Sequence, residues 1–496
     1  MLSVLVWLPI IGAVIIGLRP QKNQARSIAL SVSFGLVVWS FWLLFQFSSS
    51  LSTMQFIEAL QWVPQLGLNY RLGIDGLSLP LVVLSSVLTW VAIYSSKREI
   101  ERPRLYYALI LLVNAGLAGG FLVQNLLLFA LFYELELVPI YLLIAIWGGT
   151  ERRGYAAIKF LTYTAVSGFL ILSAFLGIGF LAGSEAFSYN PQLIAALPIA
   201  TQVVLLSLIL FGFGIKIPLF PLHTWLPDAY AEASPPVAIL LGGVLAKLGT
   251  YGLVRFGLNL FPEAWHLLAP GLAVLGAVSA IYGSLVALAQ KDIKLMVAYS
   301  SIGHMGYILL AIAAATPLSL LGAVLQMVSH GLILAMLFYL VGLIEAKVGT
   351  RDLDGLNGLM NPVRGLPLIS ALLILAGMAS AGIPGLVGFI AEFLVLQGSF
   401  VPYPIPTLLC VVCSGLTAVY FVILISRTCF GKLDNATAYY PSVLWSERIP
   451  ALLLAGLILL FGLQPSWLTH WSETTTTALA SQIKIAAAAN FPGDLP

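Results

Sequence analysis

The sequence predicts an all-α, polytopic membrane protein of about fourteen transmembrane helices. Three observations carry this. Of the 496 residues, 60% are hydrophobic and 9% charged, more apolar surface than a soluble chain of this length can bury. Apolar runs long enough to cross a bilayer, about 20 residues, recur from one end to the other. The basic residues also alternate between loops. With residue 1 placed outside and the side reversed at each span, seventeen Lys and Arg fall in inner loops against two outside, Arg71 and Lys484. That positive-inside bias predicts an even number of spans with both termini on the non-cytoplasmic side.

Taken in order, the spans are near 2–18, 27–47, 77–96, 105–122, 126–147, 156–182, 198–230, 235–260, 267–289, 293–315, 318–345, 366–398, 404–430 and 449–464. The first does not read as a cleavable signal, because its basic cluster (Arg19, Lys22, Arg26) follows the apolar run instead of preceding it. Gly116, Gly119, Gly120, Gly242 and Gly243 offer small faces for close helix approach. Cys410, Cys413 and Cys429 fall within one span with no second ligand pair, which reads as packing. The tail from Ser472 to Asn490 is weakly amphipathic and is expected on the surface or against a neighbour. The formal net charge of +3 reflects topology, and nucleic acid is not an expected partner.

Two spans are interrupted. In the seventh, Pro218 and Pro221 follow Lys216, and each removes a backbone donor and clashes with the preceding turn. In the twelfth, Gly382, Pro384, Gly385 and Gly388 precede Glu392. Freed backbone groups at membrane depth persist only where they line protein or a wet cavity. An offset of five spans reverses orientation, so spans four to eight pair with nine to thirteen as an inverted repeat. The expected organisation is 1–104 (three N-terminal spans), 105–261 and 262–431 (two five-helix repeats with broken helices 7 and 12), and 432–496 (last span and tail).

Seven of the ionisable residues inside spans stand out: Glu134, Lys216, His223, Lys247, His304, His330 and Glu392. A charge at the centre of a spanning helix costs about 2.5–3.5 kcal/mol, so their recurrence predicts a polar path. Glu136 is two residues beyond Glu134, roughly 200° round a continuous helix, so the two carboxylates are expected to face different ways and not to form a dyad. Desolvation and a nearby carboxylate act oppositely on a buried lysine. Lys216 and Lys247 are therefore suited to load and release a proton as a partner moves. A swing of about three pKa units, roughly 4 kcal/mol, matches a potential of roughly 150–200 mV. His223, His304 and His330 suit a relay, since imidazole can gain a proton on one nitrogen and lose it from the other. Glu392 suits the end of the path or a gate. For each residue a structural hydrogen bond or packing ion pair is the alternative. The histidines have no metal-ligand spacing, and no phosphate-binding loop, dinucleotide fingerprint or haem or cluster ligand set is present. No cofactor or metal is expected in the chain itself.

The motifs E-L-E-L-V-P-I-Y from Glu134, K-I-P-L-F-P-L-H-T-W-L-P-D-A at 216–229, L-A-K-L-G-T-Y-G-L at 245–253, A-Y-S-S-I-G-H-M-G at 298–306, Q-M-V-S-H-G at 326–331 and G-F-I-A-E-F at 388–393 resemble the antiporter-like proton-pumping subunits of complex I, of the chain 4 (subunit M) type. The resemblance runs from about residue 70 to 465. It implies fourteen spans in two inverted repeats. It also implies that Glu134, Lys216, Lys247 and Glu392 are the family's ion-pair and path residues, with His304 and His330 as relays. Tyr230 departs from the family's common L-P-D-A-H. The flavour is similar to cyanobacterial and plastid NAD(P)H–quinone oxidoreductase, with a carbon-dioxide-uptake form as a refinement. The implied function is proton translocation in a redox-driven, photosynthetic complex of the thylakoid membrane, with both termini lumenal. The resemblance implies iron–sulfur clusters and plastoquinone at the level of the complex, and ferredoxin as electron donor. The implied partners are sister antiporter-like subunits, other membrane subunits, lipids and, in the uptake form, a carbonic-anhydrase-like subunit. A subunit of a multisubunit cation/proton antiporter without redox, and a scaffold retaining inherited charges, are the competing readings.

Overall fold

Helices account for nearly all of the chain's regular structure. The computed structural model describes residues 1–18, 24–149, 151–183, 187–433 and 440–490, with side chains as far as 485. Arg19 and Lys22, assigned to the first inner loop, lie outside the described residues. Among the described residues, eleven helices are long and apolar enough to cross a membrane, and four more apolar helices are shorter.

α1 (Ser3–Leu18) and α2 (Ala25–Gln46) precede the one departure from the all-α expectation, an antiparallel hairpin of β1 (Gln55–Val63) and β2 (Leu68–Ile74). The reason is local. Pro64 starts a tight turn, Gly67 supplies its left-handed residue at φ 66°, and the flanking stretches are too polar to span. α3 (Leu79–Ser95), α4 (Pro103–Leu122), α5 (Leu126–Leu135), α6 (Leu137–Trp147) and α7 (Arg153–Ala182) follow. Asn125 caps α5, accepting from the Leu128 amide at 3.0 Å.

After the short α8 (Pro191–Ala195), the seventh predicted span divides as expected. α9 (Ile199–Lys216) stops at the lysine, and α10 (Trp225–Glu232) resumes beyond the two prolines. The eighth combines α11 (Pro235–Leu240) and α12 (Ala246–Gly252) with π-helical turns at Leu241–Leu245 and Leu253–Leu258, wide turns that often accompany functional sites. α13 (Pro262–Leu288), α14 (Ile293–Ala314) and α15 (Pro317–Val348) are continuous. Asp292 caps α14 through the Lys294 amide at 2.8 Å. Thr316 and Ser319 form a capping box on α15. The twelfth span divides into α16 (Pro367–Ser380) and α17 (Val387–Phe400), with Gly382 and Gly385 at φ 68° and 91° in the turn between. α18 (Pro404–Cys429), α19 (Trp445–Leu463) and α20 (Ser466–Asn490) complete the chain. The three cysteines are buried thiols on α18, in keeping with packing.

α15 is the axis of the bundle. It is buried along almost its whole length and packs against α3, α11, α14, α16, α17, α19 and α20. α13 and α14 approach closely because both carry glycines. A Cβ on Gly306 would lie 2.4 Å from the Gly276 carbonyl oxygen, so backbone meets backbone there. The tail docks on its own chain: Ser472 Oγ donates to the Gly76 carbonyl at 2.7 Å, and the Gly76 amide donates to Thr475 Oγ1 at 3.1 Å. Next to this contact, the buried Asp75–Arg255 pair at 2.6 Å ties the start of α3 to the end of the eighth span.

Candidate functional site

Lys216 is the last residue of α9, held at membrane depth because the following prolines end the helix. Gly249 lets α12 come close: a Cβ there would lie 3.3 Å from Lys216 Cβ. The Lys216 ammonium is fully buried and forms an ion pair with Glu136. It also stands 4.3 Å over the Tyr133 ring, and the Tyr133 hydroxyl is fixed by Ser167 Oγ at 2.7 Å. The expectation that paired Lys216 with Glu134 is corrected here. The helix is interrupted at Glu136, between α5 and α6, and the carboxylate of the turn residue reaches the lysine. Glu134 is half-buried, and its Oε1 is buried without a hydrogen-bond partner. It lies against Gly168 of α7, where a Cβ would come within 1.5 Å of it.

Lys247 opens a second, continuous group. It sits on α12 just after the π turn, and its ammonium donates back to the Gly242 carbonyl, as helical side chains lean toward the N-terminus. It also lies 2.8 Å from His330 Nδ1 of α15. The His330 and His304 rings are 5.3 Å apart, centroid to centroid. His304 Nδ1 is 3.3 Å from Glu392 Oε1 and 3.4 Å from Gln326 Nε2, while its Nε2 faces Ser380 Oγ at 3.1 Å. Glu392 Oε2 in turn accepts from Ser414 Oγ at 3.1 Å. Lys247, His304, His330 and Glu392 are all buried. A cavity of about 10 Å³, lined by His304, Gln326, Ser329, His330, Ser380 and Glu392 among others, has room for about one water molecule. His330 Nε2 is buried with no protein partner.

His223 is not part of this row, and its expected place between Lys247 and the exit is corrected. The turn after Pro221 carries it to α13, where its Nε2 meets the Tyr282 hydroxyl at 3.1 Å. Phe220 stacks beside it with ring centroids 5.8 Å apart. The same corner holds the Lys159–Asp228 pair at 2.7 Å and the Tyr163–Thr224 hydroxyl pair at 2.7 Å. Tyr230 is buried with its ring edge-on to Phe338.

Sequence reasoning put all seven ionisable residues on one path; the structure brings Lys247, His330, His304 and Glu392 together, holds Lys216 against Glu136 and leaves His223 apart. Sequence reasoning did not assign the neighbours that contact them, Tyr133, Gln326, Ser380 and Ser414. Gln326 was within reach of inspection, since it lies one helical turn before His330 on the same face. Uncharged hydroxyls are common in spans and carried no signal. Chemically, the row sets an amine, two imidazoles and a carboxylate in sequence, groups that can each take up and release a proton. No group of three or more His, Cys, Asp or Glu among the described residues is placed to hold a metal ion.

The chain is similar to known membrane proteins along nearly its whole length. Residues 123–417 match the transmembrane family described as NADH:quinone oxidoreductase/Mrp antiporter. The NAD(P)H-quinone oxidoreductase chain 4 1 of Synechococcus sp. (strain JA-3-3Ab) is 42% identical, the match covering 98% of this chain and 94% of that protein. The chain 4 2 protein of Thermosynechococcus vestitus is 39% identical over 100% of this chain and 94% of its own length. Among solved structures, a chain of respiratory complex I from Thermus thermophilus superposes with TM-score 0.88 at 27% identity, covering 97% of this chain and all of that one. A chain of the Mrp complex from Dietzia sp. DQ12-45-1b superposes with TM-score 0.85 at 22% identity, over 98% of each chain, a likeness of fold alone.

Proposed function

The chain belongs to the NADH:quinone oxidoreductase/Mrp antiporter membrane family, as a chain 4 subunit of the NAD(P)H–quinone oxidoreductase kind, and from that premise we propose that it carries protons along the buried row Lys216, Lys247, His330, His304 and Glu392, with Glu134 and Glu136 governing Lys216. As a subunit of a proton-translocating quinone oxidoreductase it acts within a multisubunit membrane complex. The iron–sulfur clusters and quinone of that complex belong to other chains in this reading, plastoquinone being the acceptor.

One observation carries the proposal: the run from Lys247 through His330 and His304 to Glu392, with contacts of 2.8 Å and 3.3 Å at its two ends and the two imidazoles 5.3 Å apart, centroid to centroid, in its middle. Isolated structural pairs need no such continuity. Leaving buried ionisable groups in a line is costly, and a line is what stepwise proton transfer requires. In the proposed cycle, charge movement elsewhere in the complex loosens the hold on Lys216, whose proton passes to Lys247. Lys247 gives a proton to His330 Nδ1. His330 then loses one from Nε2 across the cavity to His304, and His304 protonates Glu392. Each imidazole accepts on one nitrogen and donates from the other. His223 lies off this route and serves the Lys159–Asp228 corner.

The cyanobacterial relatives support a thylakoid location, with both termini lumenal by the distribution of basic loops. A carbon-dioxide-uptake form with a carbonic-anhydrase-like partner rests on the resemblance alone. Two measurements test the function. Purification under mild conditions is expected to bring down a peripheral arm with iron–sulfur proteins; recovery with small membrane subunits only favours the cation/proton antiporter reading. Lys216→Ala in the assembled complex is expected to cut proton pumping while assembly survives, and undiminished pumping removes the assignment.

A further inference from the structure

We propose that Lys216 alternates between two carboxyl groups, with Glu136 holding it at rest and Glu134 receiving it during turnover. This deepens the proton-path reading and rests on it. Glu136 is a fully buried acid to which the family resemblance assigns no role, yet it is the group in contact with the lysine.

Three features of the pocket support an exchange. First, the fully buried ammonium is paired with Glu136, and a second carboxyl, Glu134, lies two residues away in the sequence. If both acids were ionised the pocket would hold an uncompensated buried charge, so one of them carries a proton. Glu136 touches the ammonium and is the carboxylate. Glu134 makes no ion pair with the ammonium, whose contact is with Glu136, and is assigned as the acid. Second, the ammonium rests 4.3 Å over the Tyr133 ring, the residue beside Glu134 in sequence. That ring is pinned by the 2.7 Å bond to Ser167, and its face is a surface along which a cation can slide. Third, the place taken by the Glu134 carboxyl exists because residue 168 lacks a side chain; a Cβ there would lie 1.5 Å from Oε1.

The exchange is balanced. Before it, the pocket holds one ammonium, the Glu136 carboxylate and the Glu134 acid; afterwards it holds one ammonium, the Glu134 carboxylate and the Glu136 acid. The lysine and one proton change places, and the net charge is constant. The crossing frees Lys216 from its resting partner but releases no proton; passing a proton from Lys216 toward Lys247 is a separate step, after which the amine must take up another proton before the next exchange.

The test uses the wild-type complex in vesicles with dicyclohexylcarbodiimide, which reacts with carboxyls that carry a proton in apolar surroundings. Fragmentation mass spectrometry separates Glu134 from Glu136. At rest Glu134 is expected to be labelled and Glu136 protected; with electron donor and quinone present, Glu136 labelling is expected to rise severalfold. Protection of Glu134 at rest, or Glu136 labelling that does not change on turnover, overturns the proposal. In parallel, Glu136→Gln is expected to lower the protons moved per electron, with Glu136→Asp restoring most of the loss. An assembled Glu136→Gln complex with the wild-type ratio also overturns it. Lys247→Met separates the two levels: if it abolishes this subunit's pumping while Glu136 labelling stays constant, the path stands and the alternation falls. If Lys247→Met pumps normally, the path itself falls.

Discussion

Lys247→Met is the sharpest perturbation of the row. Methionine keeps the length and most of the volume of the stem and removes only the ammonium. Two acceptors then lose their donor, His330 Nδ1, now 2.8 Å from the amine, and the Gly242 carbonyl. Leaving a buried acceptor unpartnered costs about 1–3 kcal/mol, an amount a fully packed bundle absorbs, so assembly is expected to survive. The effect on transfer is larger in consequence. A proton passing from Lys216 toward His330 loses its intermediate site and a hydrogen bond to a charged group worth about 1.5–3 kcal/mol. At about 1.4 kcal/mol per tenfold, that slows the step by roughly 10- to 150-fold. The assay is quinone reduction by the purified complex in sealed vesicles, with acidification followed by a pH-sensitive dye and electron flow measured with and without an uncoupler. The expected result is normal assembly with fewer protons moved per electron. An assembled Lys247→Met complex that keeps the wild-type ratio would refute the reasoning, because Lys247 is the group that meets His330 Nδ1.

Two further outcomes follow from other parts of the molecule. Asp75→Asn breaks a buried ion pair at 2.6 Å and leaves Arg255 without its carboxylate, a cost of about 3–5 kcal/mol; a marked drop in the thermal midpoint of the detergent-solubilised complex is expected, and an unchanged midpoint contradicts it. Asp354, in the loop before α16, accepts from Lys291 at 2.9 Å and from Arg427 at 2.7 Å, and these two cations hold its carboxyl below the ordinary aspartate value. A lowered value contributes stability above the unfolded-state value, about 3.9, and that stability is lost as pH falls through the folded value. Amide protection around residues 352–359, corrected for intrinsic exchange, is therefore expected to be flat from neutral pH to about 4 and to fall below it. A change confined to the neutral range contradicts this.

Much of the architecture was legible in the chain because its causes are local. Hydropathy marks the spans. Pro218 and Pro221 end α9 at Lys216, and Gly382 and Gly385 allow the break before Glu392, since a missing donor or a positive φ acts on the residue that carries it. The cost of a charge in lipid also acts residue by residue, so Lys216, Lys247, His304, His330 and Glu392 stood out before any contact was known. The hairpin at 55–74 was missed because its turn was read only as a gap between spans.

What the tertiary structure alone decided is which side chain meets which. The two-residue spacing of Glu134 and Glu136 indicated that they face different ways, as they do, but not that the second carboxylate and not the first grips the lysine. His223 shares its residue type and depth with the other histidines, yet the turn after Pro221 turns it toward Tyr282. The first π turn beside α12 sets Gly242 and Gly243 against Leu334 and Leu88, neighbours far away in sequence that the chain alone does not name. Burial cost is a property of one residue and can be read from its neighbours in the chain. A proton path is a property of pairs, and a lysine's partner lies on another helix, brought within reach only when the whole bundle has closed.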